Sequence, residues 1–170
     1  MRIKEVRFYE DVEDDVLKFA VIISTYHGKW VFCKHRERDT YEVPGGHREP
    51  EESILTTAKR ELYEETGALD FEIEPVCVYS VLREGEGGEY FQEETFGMLY
   101  TADIKELEGE LHNEIERIVI TEKYPENWTY PLIQPQLMEE AIKRKLVKVK
   151  KEALVPHYEL DMPDRIKGEV

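Results

Sequence analysis

The sequence has few cysteines and no long apolar segment. Cys33 and Cys77 form no CxxC pattern, so a zinc site or a disulfide framework has little support, and we expect both to be small buried side chains. The longest apolar runs, such as FAVII at 19–23, are far shorter than the roughly 20 residues that cross a bilayer. The first residues, MRIKEVRFYEDVEDD, also lack the apolar core of a signal peptide. The sequence therefore predicts no membrane segment and no export signal, and it favours the cytoplasm.

Basic residues are in short supply as well. The chain of 170 residues contains 38 acidic and 23 basic residues, which gives a formal net charge of −15. A surface of this sign repels a polyanion, so long nucleic acid is not an expected partner. A small phosphorylated substrate is compatible with it, because bound divalent cations reverse the local field at a carboxylate cluster. Composition does not predict the oligomeric state.

A β-hairpin is the first predicted element. Residues 17–35, LKFAVIISTYHGKWVFCKH, form two β-branched and aromatic runs around His27 and Gly28. This pattern is typical of two antiparallel strands joined by a short turn. The Pro-Gly-Gly passage at 44–46 is then expected to break any regular element.

A helix is predicted over residues 50–66 by the signals at its ends. Pro50 suits a first helical turn, and Glu51 and Glu52 complement the positive end of the helix dipole. Gly67 suits the position just past the last turn. Apolar residues at spacings of 3 and 4 form a narrow stripe that can lie on a sheet. These residues are Leu55, Ala58 and Leu62.

The second half of the chain contains more strands and one more helix. Two strand-like segments, 71–84 and 89–104, flank the sequence GEGG and predict a second hairpin. Residues 115–125 read as a further strand, and residues 134–148 have helical spacing. This order of elements predicts an α/β (α+β) fold with helices packed on a mixed sheet.

One domain is predicted, with a short extension. The hydrophobic share of 41% is enough for a core in a chain of this length. Periodicity is clear through residue 148 and is lost after it. We therefore expect one domain over 1–148 and a C-terminal extension over 149–170, either packed on that domain or forming a tail.

Three glutamates crowd the end of the first predicted helix. Glu61, Glu64 and Glu65 lie at offsets of 0, 3 and 4 within RELYEETG. Like charges at these spacings repel one another, and acids in a last turn also face the negative end of the helix dipole. Carboxylate oxygens are the ligands that Mg²⁺ and Mn²⁺ prefer, so one interpretation is a metal site. The alternative is a solvated acidic helix face.

The wider pattern favours the metal site. Residues 46–68, GHREPEESILTTAKRELYEETGA, resemble the signature of the Nudix hydrolase family, G-x5-E-x7-R-E-U-x-E-E-x-G-U, where U is a bulky aliphatic residue. Only Ala68 departs from the pattern, because it is smaller than the usual Ile, Leu or Val. The Pro-Gly pair before Gly46 is also similar to the family.

The resemblance implies a fold, a reaction and site residues. The fold is an α/β/α sandwich, and the reaction is cleavage of the diphosphate linkage of a nucleotide. Glu61, Glu64 and Glu65 would bind divalent metal, with Mg²⁺ expected and Mn²⁺ as an alternative. Glu52 and Arg60 would support them, and the Gly46 backbone (or that of the preceding glycine) would add an oxygen ligand. Arg60 would hold a carboxylate through its planar fork rather than donate a proton, because it stays protonated at any working pH.

Further acids and bases are candidates for the remaining roles. Glu114 and Glu116 could complete the metal shell or act as a base, or they could simply form an acidic strand edge. The phosphate-binding candidates, each with ordinary surface charge as the alternative, are Arg36, Arg38 and Arg83, together with Lys34 and His35. The candidates for stacking a base, each with core or edge packing as the alternative, are Trp30, Tyr90, Phe91, Trp128 and Tyr130.

Two functional hypotheses follow from the resemblance and the residues. The first is a Mg²⁺-dependent pyrophosphohydrolase acting on a nucleoside triphosphate or related nucleotide, with an oxidised purine nucleotide such as 8-oxo-dGTP as one candidate. The second is a noncatalytic module that keeps the fold as a nucleotide sensor. Loss of metal ligands would be expected in the second, and none of the signature acids is missing.

Overall fold

The computed structural model describes residues 2–110 and 115–151. The strands are β1 (Arg2–Tyr9), β2 (Leu17–Tyr26), β3 (Lys29–His35), β4 (Gly45–His47), β5 (Ala68–Gly85), β6 (Gly88–Leu107) and β7 (Ile115–Thr121). The helices are α1 (Ile54–Thr66) and α2 (Gln134–Lys151), and a short 3-10 turn covers Asp14–Val16. The predicted extension over 149–170 lies mostly outside the described residues and stays a prediction.

The described strands form one seven-stranded mixed sheet. Its order is β1-β5-β6-β2-β3-β7, and β4 pairs with β2. The central pair, β2 and β6, is parallel, whereas the other neighbours are antiparallel. A parallel pair needs a crossover between its strands, and the chain from β2 to β6 provides it through α1. The predicted α/β class with a mixed sheet is confirmed.

The two helices cover opposite faces of the sheet. Along β2, Val21 and Ile23 belong to one core cluster, whereas Ala20 and Ile22 belong to the other. Side chains of a strand alternate between faces, so the two clusters lie on the two sides of the sheet. The first cluster contains Leu137, Met138, Ala141 and Ile142 of α2. The second contains Ala58 and Leu62 of α1. This arrangement is the predicted α/β/α sandwich.

Helix α1 begins four residues later than predicted. Glu51 has a φ of 65°, which a right-handed helix does not accommodate, and the chain turns into the helix only after it. Ser53 is the N-cap, and its hydroxyl accepts a hydrogen bond from the Thr56 amide at 3.1 Å. The predicted C-terminal signal is confirmed, because Gly67 has a φ of 78° and donates its amide to Tyr63. The left-handed conformation favours glycine there.

The apolar stripe of α1 is displaced by one position at its start. Ala58 and Leu62 are fully buried, as predicted, but Leu55 is 40% exposed. Ile54 packs against the same core cluster in its place. Residues 54, 58 and 62 are spaced by four, so they share one helix face, and Leu55 lies beside that face.

Both predicted hairpins are confirmed. The turn between β2 and β3 is His27 and Gly28, both with positive φ. Strands β5 and β6 pair over most of their length and meet at Gly85 and Gly88. Strand β1, which pairs with β5, was not predicted.

Strand β4 contradicts the expectation that the Pro-Gly-Gly passage has no regular structure. It pairs with the first half of β2, so that Phe19, Ala20 and Val21 face His47, Gly46 and Gly45. The second half of β2 pairs with β3 on the same edge. An added Cβ at Gly45 would lie 2.7 Å from the Ala20 carbonyl oxygen, so this close pairing requires glycine. Pairing with β2 therefore places the glycine segment, Gly45 and Gly46, beside the C-terminal end of α1.

Candidate active site

Arg60 holds three of the predicted site acids. Its Nε and Nη2 donate to the two carboxylate oxygens of Glu52 at 2.7 and 3.0 Å. Its Nη1 donates to Glu61 at 2.8 Å and to Glu64 at 3.3 Å, and Nη2 also reaches the His47 carbonyl at 3.0 Å. The hydrogen bond from Arg60, followed by that from Thr57, lowers the pKa of Glu52 to about 2. Glu52 is thus a fixed anion that orients the guanidinium on α1.

Glu61 is a site acid whose pKa is raised towards neutrality. Its pKa is raised from 4.5 to about 7, mainly by burial and then by the Glu65 charge, while Arg60 acts in the opposite direction. The side chain is only 14% exposed. It lies against Gly46, where an added Cβ would come within 2.3 Å of the Glu61 carboxyl carbon. The missing side chain at Gly46 therefore makes room for the carboxylate.

Glu65 is held by groups outside its helix. Its Oε1 accepts the Gly45 amide of β4 at 2.7 Å, and its Oε2 lies 3.0 Å from Nε2 of His35 at the end of β3. The same Nε2 lies 2.7 Å from Oε1 of Glu42, a carboxylate that is 5% exposed. The hydrogen bond to Glu65 raises the pKa of His35, and burial raises the pKa of Glu42. Two carboxylates therefore share one imidazole nitrogen.

The carboxylates of α1 fit a divalent metal with an open coordination shell. Among the described residues, no group of three or more His, Cys, Asp or Glu side chains is arranged to hold a metal ion. Mg²⁺ does not require one, because it usually uses one or two carboxylates and completes its shell with waters and substrate phosphate. Glu61 and Glu65 repel each other, as the pKa of Glu61 shows. A cation between them would remove that repulsion, so the donor set fits Mg²⁺ or Mn²⁺ by its chemistry.

A cavity of about 520 Å³ opens beside these acids. Gly45, Gly46 and Glu65 line one part of it, so the glycine segment and the end of α1 face the same space. Apolar walls come from both sheet and helix, and they include Tyr79, Val81, Ile133 and Leu137. This volume lies in the range of small-molecule sites, which combine apolar walls with a few polar groups.

The predicted phosphate-binding arginines lie in different surroundings. Arg38 and Arg83 line the cavity. Arg38 donates to Glu42 at 3.3 Å, and Arg83 donates to the Thr95 hydroxyl at 3.0 Å. Arg36 is exposed and is not part of the cavity lining. The structure therefore places two of the three in the cavity lining, and their binding role stays a prediction.

Of the two downstream acids, Glu114 and Glu116, the structure describes only Glu116. Glu114 lies outside the described residues, so its predicted role as metal ligand or base stays a prediction. Glu116 forms an ion pair with Lys34, which lowers the pKa of Glu116. Neither Glu116 nor Lys34 is part of the cavity lining.

The aromatic candidates mostly pack elsewhere. Tyr130 lines the cavity and is 41% exposed. Trp30 is buried in the core, and Trp128 packs against the same cluster. Phe91 is 63% exposed and is not part of the cavity lining. The side chain of Tyr90 lies outside the described residues.

The sequence did not indicate Glu42 as a site residue, and it offered His35 only as a candidate for phosphate binding. The contact between them depends on an isolated bridge that brings Cys33 beside Glu42, across a loop with no spacing signal. A charged residue between two apolar ones, as in Tyr-Glu-Val at 41–43, is the one available hint that Glu42 is drawn inward.

The chain is similar in sequence to known proteins. It matches the NUDIX domain family over residues 16–146. A Bacillus subtilis (strain 168) protein named "Putative 8-oxo-dGTP diphosphatase YtkD" is 32% identical over 124 residues, which is 72% of this chain and 73% of that protein.

Solved structures share the fold. The crystal structure of the Bacillus subtilis pyrophosphohydrolase BsRppH, a mutant form, has a TM-score of 0.66 and 25% identity, and covers 84% of this chain and 97% of that chain. A UDP-X diphosphatase has a TM-score of 0.61 and 16% identity, and covers 78% of this chain and 64% of that chain. Its low identity supports the fold alone.

Neither described helix is long and apolar enough to cross a membrane. The family match covers most of the chain and includes the whole signature of residues 46–68. Together with the relative at 32% identity, it shows that the chain belongs to the Nudix hydrolase family and acts on phosphoric anhydride bonds.

Proposed function

We propose that this protein is a Mg²⁺-dependent pyrophosphohydrolase that cleaves the diphosphate linkage of a nucleoside triphosphate, with Mn²⁺ as an alternative metal. The observation that supports this proposal is the position of Glu65 in the cavity wall, with Glu61 beside the glycine segment of the same wall. Glu65 and the glycine segment form part of the cavity wall, and Glu61 lies directly against Gly46. A polyphosphate in the cavity would therefore meet the acids that fit a metal.

The site residues have two roles: some would bind the metal, and others hold the metal-binding side chains in place. Glu61, Glu64 and Glu65 would hold the metal, which when bound neutralises phosphate oxygens and acidifies the attacking water. Arg60 holds Glu61 and Glu64 through Nη1, and Glu52 holds Arg60 through Nε and Nη2.

The substrate proposal rests on the cavity and on the relatives' names. Arg38 and Arg83 would contact phosphate oxygens, and Tyr130 offers an aromatic face for a base. The Bacillus subtilis relative is named for 8-oxo-dGTP, so an oxidised purine triphosphate is the first substrate to test. The net charge of −15 disfavours a long RNA.

The test is product release from a nucleotide panel. The panel contains 8-oxo-dGTP, the ordinary deoxynucleoside triphosphates and a sugar nucleotide, each with Mg²⁺, with Mn²⁺ or with EDTA. We expect EDTA to abolish turnover, and E64Q and E65Q each to lower kcat/KM by about a hundredfold, comparable to about 3 kcal/mol of transition-state stabilisation.

The matched control is E72Q, the same change at an exposed position of β5 outside the cavity lining. It should leave turnover unchanged. Full activity in both E64Q and E65Q would refute the site. Nucleotide binding without turnover on any substrate would instead favour the noncatalytic module.

A further inference from the structure

Two separate clamps hold the acids of α1. Arg60, on the helix itself, donates to Glu61 and Glu64. It makes no such contact with Glu65, which is bound instead by Gly45 of β4 and His35 of β3. The same helix therefore presents acids that are oriented by different parts of the fold.

The clamp on Glu65 restricts both of its oxygens. The Gly45 amide lies 2.7 Å from Oε1 and His35 Nε2 lies 3.0 Å from Oε2, so rotation of the carboxylate would break one of the two contacts. The side chains concerned are largely shielded, with Glu65 10% and His35 19% exposed. A hydrogen bond shielded from water in this way is stronger than one at the surface.

His35 is itself held by a second carboxylate at the same nitrogen. Its Nε2 lies 2.7 Å from Glu42 Oε1, and Arg38 donates to the same oxygen at 3.3 Å. Glu42 is fixed in turn, because its backbone pairs with Cys33 through two hydrogen bonds of 2.8 and 3.0 Å. The imidazole is thus tied to the sheet rather than free to follow solvent.

We propose that His35 is a positioning residue that orients the Glu65 carboxylate for a divalent cation. This inference rests on the proposed function, because it gives Glu65 the role of metal ligand. Hydrogen bonds to a ligating carboxylate fix the direction of its free lone pairs, and loss of such a partner typically lowers metal affinity by about 10- to 100-fold. His35 would do for Glu65 what Arg60 does for the other two acids.

Two amide substitutions separate this role from simple packing. The side-chain nitrogen of Gln reaches about as far as Nε2 of His, whereas that of Asn reaches only about as far as Nδ1. H35Q should therefore keep a donor near Glu65, and H35N should not. H27N, in the turn between β2 and β3, is the control, since Asn tolerates the positive φ of that position.

The measurement is the binding of Mn²⁺ to the full chain without nucleotide. Binding is monitored through the electron paramagnetic resonance signal of free Mn²⁺. We expect H35N to bind about 10- to 100-fold more weakly than wild type, and H35Q and H27N to stay close to wild type. In an E65Q background, H35N should cause no further loss, because the two residues act through one contact. In turnover assays H35N should lose kcat at low Mn²⁺, keep the nucleotide KM and recover at high Mn²⁺.

Equal Mn²⁺ affinity in wild type and H35N would overturn the proposal. An equal loss in H35N and H35Q, or an added loss in the E65Q background, would also overturn it, because either result assigns His35 to packing. Wild type that binds Mn²⁺ but hydrolyses no nucleotide would refute the proposed function alone. Wild type that binds no Mn²⁺ would refute both.

Discussion

The raised pKa of Glu61 predicts how the metal-free protein responds to pH. Below pH 4.5 its carboxyl is protonated in both the folded and the unfolded chain. Between pH 4.5 and about 7 the unfolded chain releases the proton while the folded chain retains it, so each increase in pH favours unfolding. A rise from 4.5 to about 7 corresponds to about 3 kcal/mol. This contribution is fully present in acid and is lost as pH rises through 7.

The assay compares wild type with E61Q by urea unfolding in EDTA, at intervals from pH 4.5 to 8. Gln does not titrate, so wild type should lose about 3 kcal/mol more of its free energy of unfolding than E61Q over this range. Shared groups such as His35 and Glu42 cancel in the difference between the two proteins. Excess Mg²⁺ at pH 8 should stabilise wild type by mass action. Parallel pH curves for wild type and E61Q would show that Glu61 is not forced to hold a proton, and would refute the reasoning.

Two further predictions concern the helix that carries the site, and both are measured by urea unfolding. L62A removes a fully buried side chain and should lower the free energy of unfolding by about 2 to 5 kcal/mol, whereas L55A, at a position 40% exposed, should change it by about 0.5 kcal/mol or less. Similar effects in the two variants would contradict the observed helix phase. G67A places a Cβ at a φ of 78° and should lower stability by about 1 to 2 kcal/mol. G109A, whose added Cβ meets nothing within 4 Å, should be neutral, and an unchanged G67A would argue against the left-handed cap.

The elements with local signals were predictable from sequence. The two hairpins, the end of α1 at Gly67 and the second helix follow from periodicity and turn residues. The start of α1 was not predictable, because Pro50, Glu51 and Glu52 also satisfy the rules for a first helical turn. Tertiary contacts exclude these residues from the helix: the Glu52 side chain accepts hydrogen bonds from Arg60 and Thr57 and does not complement the helix dipole.

The candidate site also has one part that the sequence could predict and one part that it could not. The spacing of Glu61, Glu64 and Glu65 is local to one helix, so sequence could indicate that they cluster. The contact of His35 with both Glu42 and Glu65 depends on which residues of β3 and the following loop lie opposite each other. Strand register is set by the whole sheet, and no residue spacing along the chain encodes this contact.

One edge of β2 pairs with β4 in its first half and with β3 in its second half, so the site glycines are bonded to a central strand of the sheet. The short strand that carries Gly45 and Gly46 is hydrogen-bonded along Phe19–Val21, the stretch of β2 whose other edge joins the parallel centre of the fold. Local opening of β4 would therefore have to break bonds made by a central strand. Amide protons of this segment should exchange with solvent as slowly as those of the core, unlike those of an ordinary surface loop.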